Sequence, residues 1–511
     1  MDYLIIKSFI PEIFLSIFIL CQLVYNSYLS YSLSLNFPTI EKEICIQISL
    51  AFTVLFFLFL NLKVEAFLST FLLVNNIGLY LIKLLLVFFS FISFFSIINC
   101  FQIQKLNFFE YFCIYLLSIL SSFFLISCFD MLTAYIVIEM QALSFYILSC
   151  FNKNSAFSSE AGLKYFISGS FISGIFLFGC SLIYGTLGTL NFNILNNLLI
   201  YPLDLNFYYL NILLFIGCIF VTVTFLFKLA AVPFHFWVPD VYEGAPLPTT
   251  IIFSLLPKLS LFTFFIRWLS IILDNFYPFQ SILFFCGLLT ILIGSLLALK
   301  QKRLKRLIIY SSISQGGFLI AALSVNTIES ASSIYFFLTI YLISSVLVWL
   351  KFSNFYTTQK KFNSFLNFNQ TPLYLSSLSN FFKSNLLWSV SFIVIFFSFA
   401  GIPPLSGFLS KIFIILSLLK TQTISNSFLL VIVSIIPIFY YLRIIKIVFF
   451  EQKENYFNKE NFQVITGTLF FDIDCFILAL SLFLLLFLFI NPVFLILCNN
   501  CIILDSNFLF I

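Results

Sequence analysis

The ionisable residues of this chain are few, and several stand where they are costly. Residues 222–258 read TVTFLFKLAAVPFHFWVPDVYEGAPLPTTIIFSLLPK. Lys228 closes a long apolar run, Pro233 interrupts the pattern, His235 (the only histidine) follows, and Lys258 lies in the next apolar run. Glu139 stands near the middle of TAYIVIEMQALSFYIL, and Lys411 follows the break Gly401-Ile402-Pro403-Pro404. A lysine at bilayer depth costs about 2.5–3.5 kcal/mol. Groups buried in this way exchange protons near neutral pH, which surface lysines do not. His235, with an ordinary imidazole value of about 6.5, is a natural relay beside them. The chemistry these residues fit is proton transfer along a polar path through a membrane. Each has a plainer reading: Glu139 as a protonated, hydrogen-bonded carboxyl, His235 as a structural histidine, Lys164 as a lysine that snorkels rather than one near proton uptake. Lys83 and Arg267, closer to span ends, read as snorkelling or ion-paired. Arg443 and Lys446 read as anchors, and Asp240 and Glu243 as braces for the loop they follow.

The elements that must position these groups are membrane helices. The chain has 511 residues, 62% of them hydrophobic and 9% charged, with a mean hydropathy of +1.12. A soluble fold of this size has no core large enough to hide that much apolar surface. Apolar runs of about 20 residues predict an all-α polytopic membrane protein. The spans fall at 9–33, 44–62, 77–98, 108–127, 130–151, 161–186, 210–243, 248–271, 279–299, 304–325, 330–351, 385–419, 427–450 and 471–490. The seventh and the twelfth are longer than a bilayer needs and carry proline breaks, so both are expected to be broken helices. They lie five spans apart, and an odd number of helices per unit forces opposite topology. That spacing predicts two inverted five-helix repeats, 108–271 and 279–450, after an N-terminal three-helix segment 1–107 and before a loop, last helix and tail at 451–511.

Loop charges give the orientation. Lys42, Lys105, Lys153, Lys300, Lys302, Arg303, Lys305, Arg306, Lys360, Lys361 and Lys383 share one side, B, whereas little beyond Lys63 and Lys420 is on the other, A. Side B is therefore the matrix or cytoplasm, and both termini face away from it. The run KQKRLKR (300–306) reads as a topological anchor rather than a site for acidic lipid. A net charge of +5 arising mostly in loops gives nucleic-acid binding no support. Cys498 and Cys501 form a lone CxxC, a poor metal site without further ligands. No Rossmann glycine fingerprint, P-loop or HExxH motif occurs, so no nucleotide, catalytic metal or other cofactor is expected. MDYLIIKSFIPEIF resembles neither a presequence nor a cleavable signal. Phe, at 76 residues, suggests an AT-rich genome such as an organelle's.

Four segments carry a family resemblance: FKLAAVPFHFWVPDVYEGAPLP (227–248), FSLLPKLSLF (253–262), AGLKYFISGSFISGIFLFGCSLIYG (161–185) and FAGIPPLSGFLSKIFI (399–414). They resemble the antiporter-like membrane subunits of respiratory NADH:quinone oxidoreductase (complex I), in the subunit 2 branch. PDVYEGAP (239–246) and the lysine at 411 favour that branch over its larger relatives. The resemblance implies that Glu139 and Lys228 form an ion pair, that Lys258 is the central lysine, and that Lys411 serves the exit half-channel. It further implies that His235 links Lys228 to Lys258 and that Lys164 lies near proton uptake. SSISQGGF (311–318) departs from the family pattern: Gln315 stands where a histidine is frequent, and an amide cannot hold an extra proton. The expected function is proton translocation coupled to quinone reduction in other subunits, with no redox centre here. Expected partners are the other membrane-arm subunits, a second antiporter-like subunit among them, with lipids and accessory subunits that loop 352–384 and tail 491–511 are placed to meet. The expected location is the mitochondrial inner membrane, multi-pass, with termini in the intermembrane space; a bacterial membrane protein would read alike. A stand-alone cation/proton antiporter and a purely structural spacer are the alternatives of other classes.

Overall fold

The computed structural model describes residues 7–32, 37–61, 68–69, 72–104, 109–152, 155–200, 208–273, 276, 278–363, 374–378, 386–421, 423–451, 469–493, 496 and 499. Lys63, Lys105, Lys153, Lys383, Cys498, Cys501, much of the loop 352–384 and most of the tail 491–511 lie outside the described residues.

Regular structure is almost entirely helical. In chain order come α1 (Ile10–Ser32), α2 (Phe37–Asn61), a ribbon of β1 (Leu68–Ser69) and β2 (Val74–Asn75), α3 (Ile77–Gln104), α4 (Phe109–Ser127), α5 (Met131–Ser149) and α6 (Ala156–Leu187). Then follow α7 (Phe192–Ile200), α8 (Tyr208–Lys228), α9 (Trp237–Gly244), α10 (Leu247–Leu273), α11 (Pro278–Lys300), α12 (Leu304–Leu323) and α13 (Ile328–Asn363). The chain continues through α14 (Leu386–Ala400), α15 (Ser406–Lys420), α16 (Ile424–Ser434), α17 (Ile436–Phe449) and α18 (Leu469–Ile490). The ribbon is antiparallel, with Leu68 opposite Asn75. Among the described residues, 12 helices are long and apolar enough to cross a membrane, and Ser389–Ala400 and Phe476–Ile490 are shorter apolar helices. The protein is therefore a multi-pass, all-helical membrane protein.

Helices suit this setting because they satisfy their own backbone groups where no water can. The serines follow the same logic. Ser118, Ser121, Ser122, Ser254 and Ser311 each donate to the carbonyl three residues back, so their hydroxyls add no unpaired group. Burial sorts the bundle into layers. The spans of α13, α10 and α12 are 94%, 89% and 83% buried, against 33% for α1, α2 and α6. The interior of the bundle is thus α10, α12 and α13, which carry Lys258, Ser312 and Tyr341.

Candidate functional site

Two helices stop inside the bundle, and they stop in the same way. At the end of α8, Ala231 N–H bonds to Leu226 O at 2.8 Å and Ala230 N–H to Phe227 O at 3.0 Å, with Ala230 at φ 60°. At the end of α14, Ile402 N–H bonds to Phe397 O at 3.1 Å and Gly401 N–H to Ser398 O at 3.1 Å, with Gly401 at φ 76°. Both are Schellman terminations, in which a left-handed residue lets two N–H groups fold back onto the last turn. A cis peptide bond follows each, at Val232-Pro233 and Pro403-Pro404.

Each break puts a lysine at a helix end. Lys411, on α15, reaches back and donates to Phe399 O at 3.0 Å and Ala400 O at 2.7 Å. These are final carbonyls of α14, without intrahelical partners and at the negative end of its dipole. Gln315 on α12 donates to the same Phe399 carbonyl at 3.1 Å. Lys228 is itself the last residue of α8. The Glu139 carboxylate on α5 is close enough for its field to reach the Lys228 ammonium. The two are not in contact, however, and Glu139 Oε1 is buried without a hydrogen-bond partner among the described residues. The direct ion pair implied by the family resemblance is therefore not formed in this structure.

Lys258 lies one residue after Pro257, inside α10. A proline in mid-helix frees the carbonyl four residues back, here that of Phe253. Tyr242 of α9 donates its hydroxyl to that carbonyl at 3.1 Å. The Lys258 ammonium donates to the Tyr341 hydroxyl at 2.6 Å and to Ser312 O at 3.2 Å, and lies 4.2 Å from the Tyr341 ring centre. One cavity is lined by Lys228, Trp237, Tyr242, Pro257, Lys258 and Ser312. A second shares Lys228, Trp237 and Tyr242 and runs on to Tyr165 and to Gln141 of α5. Trp237 walls both: its indole stacks on Tyr165 at 4.9 Å, and its Nε1 donates to Phe227 O at 3.1 Å.

His235 sits in the turn after the α8 break, 3% exposed, with its ring against Phe236 at 4.4 Å. It lines neither cavity. Lys164 is exposed at 48% and pairs with Glu160 at 2.7 Å and Asp240 at 3.2 Å. Asp240 and Glu243 are clamped from α12 and the residue before it. Arg303 meets Glu243 at 2.6 Å, Arg306 bonds to both acids, and Lys305 donates to Glu243 O and Ala245 O at 3.1 and 2.7 Å. The KQKRLKR run thus braces α9.

Arg267 does not snorkel and meets no acid among the described residues: it is buried and donates to Cys128 O at 3.1 Å and to Ile126 O at the end of α4. Lys83 pairs with Glu12 at 2.5 Å and donates to Asn75 Oδ1 at 2.6 Å, all three buried. Sequence reading missed Glu12, Tyr341 and the buried Lys351. The hydroxyl-bearing residues of SIYFFLTIYLISS (333–345), inside an apolar run, were the available signal for Tyr341.

A helical membrane bundle with lysines lodged at or beside interrupted helices defines a class: membrane subunits built around a charged path. Residues 128–437, more than half of the chain, match the family described as NADH:quinone oxidoreductase/Mrp antiporter, TM, and the chain belongs to that family. It is 36% identical to NADH-ubiquinone oxidoreductase chain 2 of Marchantia polymorpha over 77% of this chain and 76% of the relative. It is also 36% identical to NADH-quinone oxidoreductase subunit N of Pelagibacter ubique, over 70% of this chain and 73% of that protein. Its fold is similar to that of a chain of Thermus thermophilus respiratory complex I, with TM-score 0.74 and 22% identity, covering 95% of this chain and 98% of that one.

Proposed function

We propose that this chain is a proton-translocating membrane-arm subunit of a respiratory NADH:quinone oxidoreductase, driven by quinone reduction in other subunits and holding no redox centre itself. It crosses the membrane fourteen times, with 108–271 and 279–450 as inverted repeats between the segments 1–107 and 451–511. The matching Schellman breaks before Pro233 and Pro403 support that division. Its partners are the adjoining membrane-arm subunits, a second antiporter-like one among them, with lipids and accessory subunits. The mitochondrial inner membrane, with termini in the intermembrane space, fits the phenylalanine bias and the loop charges.

The observation that carries the reading is the single cavity lined by both Lys228 and Lys258. In the proposed cycle, Lys164 stands near proton uptake and the Glu139–Lys228 pair is the gate. Opening removes the carboxylate contact that favours charged Lys228, which releases its proton through the cavity to Lys258, with His235 alongside. Lys411 receives it across α12 and releases it to side A. A pair at 4 Å with an effective dielectric constant of 20 is worth about 4 kcal/mol. Moving one charge against 100 mV costs about 2.3 kcal/mol, so closing and opening such a contact is large enough to gate the step. Lys228→Ala is expected to leave the complex assembled on a native gel and to abolish proton uptake coupled to NADH oxidation in inside-out vesicles. Near-normal uptake in assembled complex would sink the scheme.

A further inference from the structure

The lysine path leaves one step without a side chain: how Lys258, facing the cavity it shares with Lys228, comes to serve Lys411 on the far side of α12. We propose that Tyr341 of α13 is a positioning residue for that step, its hydroxyl holding the Lys258 ammonium against Ser312 of α12. This inference rests on the proton-path reading above.

The geometry is specific. The Tyr341 hydroxyl is the nearest acceptor of Lys258, at 2.6 Å, and Ser312 O is a longer contact at 3.2 Å. A hydrogen bond from an ammonium is roughly twice as strong as a neutral one. The ring adds to it, because a cation 4.2 Å from an aromatic centre is attracted by the negative face. Tyr341 also contacts the next station: its ring lies 6.5 Å from that of Phe399, whose carbonyl accepts from both Gln315 and Lys411. Ser312 and Gln315 are three residues apart on α12 and so share one face. Lys258 is thereby aimed at the face of α12 whose next turn bonds to the acceptor of Lys411. A hydroxyl in so buried a helix is costly without a partner. Phenylalanine would fill the same space, so the oxygen is explained by the polar groups it meets, the Lys258 ammonium and the Ser312 side chain. The titratable side chains around Tyr341 and Lys258 are Lys228 from α8 and Tyr242 from α9, which line the cavity, and Tyr441 from α17, with Glu139 on α5 acting on Lys228.

Tyr341→Phe removes one oxygen and keeps the ring. In the whole complex in sealed vesicles, proton translocation per NADH oxidised is expected to fall several-fold while assembly on native gels stays normal. The alkaline limb of the pH–rate profile should move to lower pH, because the lost acceptor favoured the protonated amine. A parallel Lys258→Met variant separates the two levels of the argument. Lost translocation in Lys258→Met beside normal rates and an unmoved pH limb in Tyr341→Phe overturns the role of Tyr341 alone. Normal translocation in both variants overturns the lysine path itself. Failure of Tyr341→Phe to assemble assigns the hydroxyl to folding, and that too overturns the inference.

Discussion

Four cations of this protein end on helix carboxyl termini. Arg267 serves α4, Lys305 serves α9, Arg443 donates to Leu299 O of α11 at 2.9 Å, and Lys411 serves α14. Each meets orphan carbonyls at the negative pole of a helix dipole, which removes two unfavourable groups at once. Lys228 and Lys258 depart from this pattern, and they are the lysines that share a cavity. Lys411 follows the pattern, and Gly401 is what lets its ammonium reach those carbonyls. A Cβ at that position would stand 2.8 Å from Lys411 Cδ and 3.0 Å from its Nζ, on a residue held at φ 76°. Gly401→Ala therefore faces a left-handed penalty of roughly 1–2 kcal/mol as well as displacement of the ammonium from Phe399 and Ala400. It is expected to lower translocation in vesicles by tenfold or more while the assembled complex persists; unchanged translocation would mean that the Lys411 position is not critical. The sequence marked Lys411 as a mid-membrane lysine beside a Gly-Ile-Pro-Pro break. Its acceptors were not legible, because they are backbone carbonyls exposed only by the way the chain terminates α14.

At the scale of elements, apolar run length and proline position foretold individual helices closely. The expected spans 108–127 and 304–325 compare with Phe109–Ser127 and Leu304–Leu323. Pro233 and the Pro403-Pro404 pair lie between α8 and α9 and between α14 and α15. What periodicity did not foretell is short or local. The helix Phe192–Ile200 and the β1–β2 ribbon carry too few residues for a pattern, and 427–450 appears as α16 and α17 joined at Ile435, just before Pro437. Close approach between α11 and α12 was equally hidden. A Cβ at Gly317 would lie 2.2 Å from Thr290 Oγ1 and 2.9 Å from Gly287 O. Gly317→Ala must push apart the helices that set Ser312 and Gln315, a strain of about 1–3 kcal/mol. The expected result is a lower inactivation temperature together with reduced translocation. Gly174→Ala, where an added Cβ meets nothing within 4 Å, is the control that should change neither.

At the scale of the whole molecule, two settings of buried charge can be told apart by mutation. The Glu12–Lys83 pair lies in the N-terminal segment, with side chains 1% and 0% exposed, and joins α1 to α3. Asn75 extends the network, accepting from Lys83 and donating to Ser8 O at 3.0 Å. Removing one partner of such a pair leaves a buried charge alone and costs about 3–5 kcal/mol, whereas replacing both with apolar side chains of similar volume is often neutral. Glu12→Leu and Lys83→Met should each reduce the amount of assembled complex and its inactivation temperature, and the double variant should recover most of both. The coupling energy of that cycle measures the pair directly. Lys228 and Lys258 should behave in the opposite way under the proposed function: apolar replacement of both would leave the bundle folded and restore no translocation, because their charge carries the proton rather than the structure. If the Glu12–Lys83 double variant assembles well yet fails to translocate, the N-terminal pair belongs to the path and not to the scaffold.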